Sequence, residues 1–436
     1  MSILKLPYFS FLWTDQTQMD TWKNNYPPSS SFIKDLGLRE IIENLRLERE
    51  SRWIVEELLY KPCTTEAVIE YRLDIMDDLL TSDGLFQLFQ KITLQIEQIK
   101  AFEAESEADA VHRSALFLQK SIIYTEVITS LWGGLENHRN EIQSQGLQKL
   151  SQLISQIVDS SVFQSMAAEL KQLTTQADAI RSVDLVYHFQ NEKITELAVD
   201  CAPGEHKASL TGRLIQASER ISFLAAYEDC DISQGNSFSP LEGCLLEETQ
   251  KIYPEYFQAL EHFYDKYQGY PMEHLLPFSS ELRFFTVMIS LIKNMQQYGF
   301  EFCKPKVRAK PDKQMQLEQV YDLSLAVRLV NDDRGADHIV KNDHYSDQFG
   351  RIFILTGPNQ GGKTTFLRSI GIAQVLFQAG CFVPARTASL SPVDYLFTHF
   401  QEKEVLGVKK GRLGEEAARI AEIFSKATES SLILLN

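Results

Sequence analysis

The stretch LTGPNQGGKTTFLRSIG, Leu355 to Gly371, sets glycines, a lysine and a threonine at a spacing that suits one kind of chemistry. Gly357, Pro358, Asn359, Gln360, Gly361, Gly362, Lys363 and Thr364 fit the phosphate-loop pattern G-x-x-x-x-G-K-[ST], with Thr365 beside them. Glycines let backbone N–H groups turn inward and approach phosphate oxygens. A helix that starts at the loop turns its positive dipole end toward them. The Lys363 ammonium would bridge the β and γ oxygens of a nucleoside triphosphate, and the Thr364 hydroxyl would hold Mg²⁺.

Such a loop needs a strand before it and a helix after it. RIFILT, residues 351–356, reads as a short apolar strand. Phe366, Leu367, Ile370, Ala373 and Phe377 line one face of a helix that Gly380 ends. Further strands are expected at residues 381–383, 395–398 and 431–435, an α/β rhythm. Hydrolysis asks for more: an acidic residue closing a second strand and a glutamate to activate water. The matching strand, SLILLN, ends on Asn436, an amide that carries no charge and takes no proton. Nucleotide binding is therefore expected of the chain as given, with negligible turnover. A glycine-bearing turn at Gly411 and Arg412 opens a helix with Leu413, Ala417, Ile420 and Phe424 on one face, which reads either as an ordinary surface helix or as a second phosphate contact. Such a contact would serve this chain's nucleotide or a partner's.

Upstream, residues 32–300 carry mostly helical patterning. Leu38, Ile41, Ile42 and Leu45 repeat at helical spacing, as do Leu147, Leu150, Ile154 and Ile157. Thr64 or Thr65 suits a helix cap before Glu66, and Pro254 a kink or split. Order weakens over residues 185–245. CKPKVRAKPDK, residues 303–313, reads as a solvated linker or as a strip that contacts phosphate.

The 436 residues suffice for several domains. Charge is uneven: residues 1–300 carry a net −18 and residues 301–436 a net +2. The acidic part disfavours a wide nucleic-acid grip there, since backbone binding needs clustered Lys and Arg. No apolar run is expected to reach the roughly 20 residues that cross a bilayer, and the start lacks a signal-peptide cleavage site. Cys63, Cys201, Cys230, Cys244, Cys303 and Cys381 form no C-x-x-C pair, which suits free thiols in a reducing cytoplasm and gives no metal site of their own.

LTGPNQGGKTTFLRSIG, the FVPA segment of residues 382–385, and ATESSLILLN at the end together resemble the ATPase domain of MutS-type DNA mismatch-repair proteins. LLYKPCTTEAVIEYRLDIMDDLL, Leu58 to Leu80, resembles the opening helices of that family's core, or lever, region. The resemblance implies a mostly α core/lever region followed by an incomplete α/β P-loop NTPase domain of ABC-like type. It implies residues 1–30 as a tail, 31–302 as the lever with a clamp remnant at 185–245, 303–320 as a linker, and 321–436 as an ATPase domain cut off at the Walker B strand. ATP and Mg²⁺ are the implied cofactors. Asn359 would act at the γ-phosphate as the catalytic loop amide, and Ile339 and Val340 would pack on adenine. The family works as dimers through the ATPase domain, which places Gly411 and Arg412 at the other subunit's nucleotide.

The resemblance also implies a lever that engages double-stranded DNA and moves with nucleotide state, in the cytoplasm and away from membranes. Departures stand beside it. The signature segment reads GRLGEE, the family's FTR-x-G reads FTHFQ with His399 and Gln401, and the catalytic glutamate would be residue 437. No mismatch-reading segment is recognised in residues 1–30. A second reading is a MutS-like scaffold that acts on a protein or RNA partner. An ABC-type or chromosome-structural ATPase fits less well, because the helices before the loop lack heptads.

Overall fold

The computed structural model describes residues 7–24, 30–45, 47, 49–102, 110–179, 184–190, 193–200, 249–358, 361–400 and 412–436. They fall into two compact units. The first takes in Leu94–Gly133 and Gln152–Leu276; the second Pro7–Thr93, Gly134–Ser151 and Pro277–Asn436.

The first unit is built from the greater part of helix α7 (Ala110–Asn137) and the second half of α8 (Gln145–Val158), with α9 (Ser161–Ala179), the antiparallel hairpin β1 (Asp184–Gln190) and β2 (Lys193–Asp200), and α10 (Pro254–Tyr267). The hairpin replaces the irregular chain expected from residue 185; its signal was the alternation Leu185, Tyr187, Phe189. The rest of that stretch, with Cys201, Cys230 and Cys244, lies outside the described residues. Pro254 opens α10 at its first turn, where a missing N–H costs nothing, so it neither kinks nor splits a helix. Glu169 ties α9 to α10 by pairing with the Lys266 ammonium and accepting the Tyr267 hydroxyl at 2.9 Å.

The second unit carries α1 (Gln16–Asn24), α2 (Ser31–Asp35), α3 (Leu38–Asn44), α4 (Arg49–Tyr60), α5 (Glu66–Thr81), the opening of α6 (Asp83–Ala101) and α11 (Leu276–Gln297). Its sheet runs β3 (Lys306–Val307), β6 (Thr387–Leu390), β4 (Met315–Val320), β5 (Asn342–Ser346), with β3 parallel to β6 and the other pairs antiparallel. α12 (Leu323–Asn331) lies between β4 and β5 in sequence. A separate parallel pair joins β7 (Leu396–His399) to β8 (Leu432–Leu435). The fold is thus mostly helical with a partial α/β region at its C-terminal side.

Several expectations change here. Residues 303–320 are no linker: β3 and β4 build them into the sheet. Residues 381–383 make a single bridge, Cys303 to Val383, and no strand. Thr65 caps α5 without a side-chain bond to it, because its hydroxyl donates to Gln18 Oε1 instead. One described helical run, Met272–Gln297, does reach the length and apolarity of a bilayer span, and 67% of its apolar 18-residue window is buried within the protein. The larger side chains of α11 account for this, with Phe284, Phe285, Met288 and Ile289 all in the core.

Residues 9–13 are no free tail. Phe11, Leu12 and Trp13 are buried, and Phe11 meets Phe278 edge-on at 5.3 Å. Polar bonds hold the backbone. Glu281 accepts the Ser10 hydroxyl at 2.8 Å and the Phe11 N–H at 2.7 Å, and Tyr71 donates to Ser10 O at 2.7 Å. Burial pushes the Glu281 carboxyl from its ordinary 4.5 up to about 7, against the pull of those hydrogen bonds. A carboxyl raised in the folded state stabilises it below pH 4.5, and that contribution is lost as pH rises through about 7. Chemical denaturation from pH 5 to 8 is expected to show it as a loss of up to about 3 kcal/mol, which Glu281→Gln flattens. An unchanged slope in the variant would contradict it.

Candidate functional site

The phosphate-loop residues sit where a chain must turn sharply into a helix. Gly357 has φ +155° and Gly362 φ +83°, backbone that L side chains rarely adopt. Gly361 N–H donates to Pro358 O at 3.1 Å, which closes the turn. Helix α13 (Lys363–Ala379) starts immediately after Gly362. The bond from Phe366 N–H to Gly362 O, 2.9 Å, is the first of the helix type. The N–H groups of Lys363, Thr364 and Thr365 precede it and belong to the orphan donors of a helix start. The Lys363 ammonium donates to Gly357 O at 2.8 Å and Pro358 O at 2.9 Å, so it lies across the loop at an exposed position. Thr364 and Thr365 are half-buried. Asn359 and Gln360 lie outside the described residues.

These features fit a triphosphate and Mg²⁺. The orphan N–H groups of the helix start and the helix dipole favour anions, and the lysine is held by neutral carbonyls that a phosphate outcompetes as a partner. Thr364 offers the metal a hydroxyl at the first turn.

Residues 351–356 do not form the expected strand. Among the described residues no strand pairs with them, and Ile352 and Ile354 are 90% and 85% exposed. β7 and β8 pair only with each other, so the apolar run has strand composition without a hydrogen-bonded neighbour. Phe353 instead meets His344 of β5 at 5.0 Å, and His344 lies 6.2 Å from Phe366. Burial lowers the His344 pKa, which favours the uncharged ring between the two aromatic side chains. The sequence reading missed this cluster, for which the distant His344 gave no signal.

Ile339 is 8% exposed and turned into the core, whereas Val340 is 75% exposed. Of the two residues expected at adenine, Val340 is the one open to a ligand. Gly411 lies outside the described residues, and Arg412 is the first residue of α14 (Arg412–Lys426). Asn436 follows β8, its N–H donating to His399 O at 3.0 Å. Among the described residues no cluster of metal-ligating side chains occurs, and Cys63, Cys303 and Cys381 are free thiols.

Helix α13 is gripped along its length by the helices that precede it in the chain. Arg368 donates to Asp35 O at 2.8 Å; the Asp35 carboxylate accepts Thr398 Oγ1 at 2.7 Å and Phe400 N–H at 3.3 Å. Gly371 lets Leu36 of the α2–α3 turn approach, since a Cβ there would meet Leu36 Cδ2 at 2.5 Å. Gln378 donates to Cys63 O at 2.7 Å and Val393 O at 2.8 Å. At the C-terminal end, fully buried Arg72 of α5 donates to Ala379 O at 3.3 Å and Leu12 O at 2.8 Å, with its guanidinium 4.3 Å over the Trp13 ring. Gly380, at φ +82°, lets α13 stop against the Arg72 side chain. The sequence signals for these contacts were an arginine inside the apolar run of α5 and the Gln374/Gln378 pair one helical turn apart.

The family model for MutS domain V matches residues 353–436, and that for the MutS2 N-terminal domain matches residues 64–298. The DNA mismatch repair protein MutS of Fervidobacterium nodosum is 39% identical over 104 residues, 24% of this chain and 13% of that protein. The MutS of Thermosipho melanesiensis is 38% identical over 104 residues, with the same shares. The MutS of Leptospira interrogans serogroup Icterohaemorrhagiae serovar copenhageni is 34% identical over 162 residues, 37% of this chain and 18% of that protein. The chain thus spans less than a fifth of the length of these curated relatives. With the phosphate loop inside the domain V match and more than half of its 436 residues inside the MutS2 N-terminal match, the chain belongs to the MutS family.

Proposed function

We propose that the chain binds ATP–Mg²⁺ at residues 357–365 and couples nucleotide state to a helical region that engages double-stranded DNA, in mismatch repair or a related DNA transaction. The observation that carries this is the grip on α13. The helix that begins at the phosphates is hydrogen-bonded to α2, to the turn before α5 and to α5 itself. A small shift of its first turn on phosphate binding must be accommodated by those contacts, because packed helices move as bodies and do not deform continuously.

Each part has its residues. Inward N–H groups and Lys363 hold the phosphates, Thr364 holds Mg²⁺, Asn359 attends the γ-phosphate, and Val340 lies beside the base with Ile339 behind it. When bound, the metal would supply charge neutralisation to the triphosphate. Gly411 and Arg412 complete a partner's site in a homodimer formed through the ATPase domain. The work belongs to the cytoplasm, where double-stranded DNA and ATP meet.

Coupling is reciprocal, so a DNA duplex that changes the affinity for ATP by some factor must have its own affinity changed by the same factor. Fluorescence titrations of each ligand, with and without the other, are expected to give matching factors. DNA affinity is also expected to fall steeply with added salt. Independent binding of the two ligands, or DNA binding indifferent to salt, would overturn the reading.

A further inference from the structure

A cleft of about 110 Å³ in the second unit shares no residue with the phosphate loop. Lys310, Lys313, Arg351, Gln374, Ser391 and Glu429 are in its wall. Three cations there face one carboxylate. Lys313 pairs with Glu429 at 3.4 Å, while Lys310 and Arg351 have no ion pair among the described residues. Glu429 reaches in from solvent, its side chain 84% exposed against 20% for Lys313, so an incoming anion can take its place.

Gln374 narrows the chemistry. The residue is 1% exposed. Its Nε2 donates to Gln378 Oε1 at 2.8 Å and Ser391 O at 3.0 Å, two acceptors that fix which way the amide faces. Its Oε1 is buried without a donor. Gln378 cannot supply one, because its own Nε2 is committed to Cys63 O and Val393 O. An occupant that satisfies this wall must be an anion for the cations and must bring an O–H for the amide oxygen. The group that enters must also be small: a cavity of about 150 Å³ takes benzene, and a tetrahedral oxyanion fits a cleft of about 110 Å³.

We propose that this cleft is a binding site for a protonated tetrahedral oxyanion, the hydrogen phosphate group of free orthophosphate or of a small phosphomonoester. The strip of residues 303–313 then has a divided role. Lys304 is taken by Asp74 and Asp77, and Arg308 donates to Ser389 Oγ, whereas Lys310 and Lys313 serve the anion.

The test uses the full chain carrying Lys363→Ala, so that the phosphate loop does not contribute. Calorimetric titration near pH 6, where a phosphomonoester still carries a proton, is run at constant ionic strength with inorganic phosphate, sulfate and glycerol 3-phosphate. Phosphate is expected to bind saturably and about tenfold tighter than sulfate, which has no O–H to offer Gln374. Adding Lys313→Ala and Arg351→Ala, both at solvent-accessible positions, is expected to weaken phosphate about tenfold or more. Glycerol 3-phosphate binding as well as phosphate assigns the site to phosphomonoesters; phosphate alone assigns it to the free ion. Absence of binding, equal binding of phosphate and sulfate, or affinity unchanged in the cleft variants would overturn the proposal.

Discussion

Lys363→Ala lowers the affinity for ATP–Mg²⁺ by roughly a hundredfold or more while the far-UV circular dichroism and the unfolding midpoint stay unchanged. The ammonium makes two contacts in the structure, both to loop carbonyls at an exposed site, so removing it leaves no buried group unsatisfied. With nucleotide bound it would make charge-assisted bonds to phosphate oxygens, each worth about 1.5–3 kcal/mol, and every 1.4 kcal/mol is about tenfold in affinity. Lys363→Arg is expected to rescue little, because a planar guanidinium cannot lie across so tight a turn as a point charge does. Calorimetric titration with ATP–Mg²⁺ checks both variants. Affinity equal to that of the parent chain would show that these residues do not hold the phosphates.

Arg72→Ala destabilises the second unit by about 3–5 kcal/mol. The side chain is wholly buried and joins α5 to two other pieces of chain, residues 12–13 through Leu12 O and the Trp13 ring, and α13 through Ala379 O. Its loss opens a large cavity and strands two buried carbonyls. Arg72→Lys keeps a charge but not the fork that reaches two acceptors, so it should also fall well below the parent. Urea denaturation followed by tryptophan fluorescence reads this directly, since Trp13 and Trp22 lie 4.9 Å apart beside the site. A change under about 1 kcal/mol would mean that the two carbonyls find other donors and that Arg72 is not the tie between α5 and α13.

The sharp turn into α13 was legible because it is local: Gly357, Gly362, Lys363 and the helix that follows are adjacent in sequence, and the two glycines have positive φ. β7 and β8 were legible too, as short apolar runs near the expected positions. The strand expected at residues 351–356 failed for a non-local reason: a strand exists only with a partner, and composition does not name one. The single apolar face read for α13 understated it. Residues 369–379 are buried on every side, as a helix enclosed by others must be. Residues 9–13 looked like tail because their anchors, Glu281, Tyr71 and Arg72, lie 60 or more residues away. Lys310 and Lys313 looked like part of a linker until β4 and α13 brought Gln374 to the same cleft.

Amide hydrogen exchange of the full chain, with and without saturating ATP–Mg²⁺, tests the central claim most directly. The account predicts added protection over residues 357–366, spreading along α13, and its loss in the Lys363→Ala protein. ATP that binds while the exchange of those amides stays as in the free protein would contradict it.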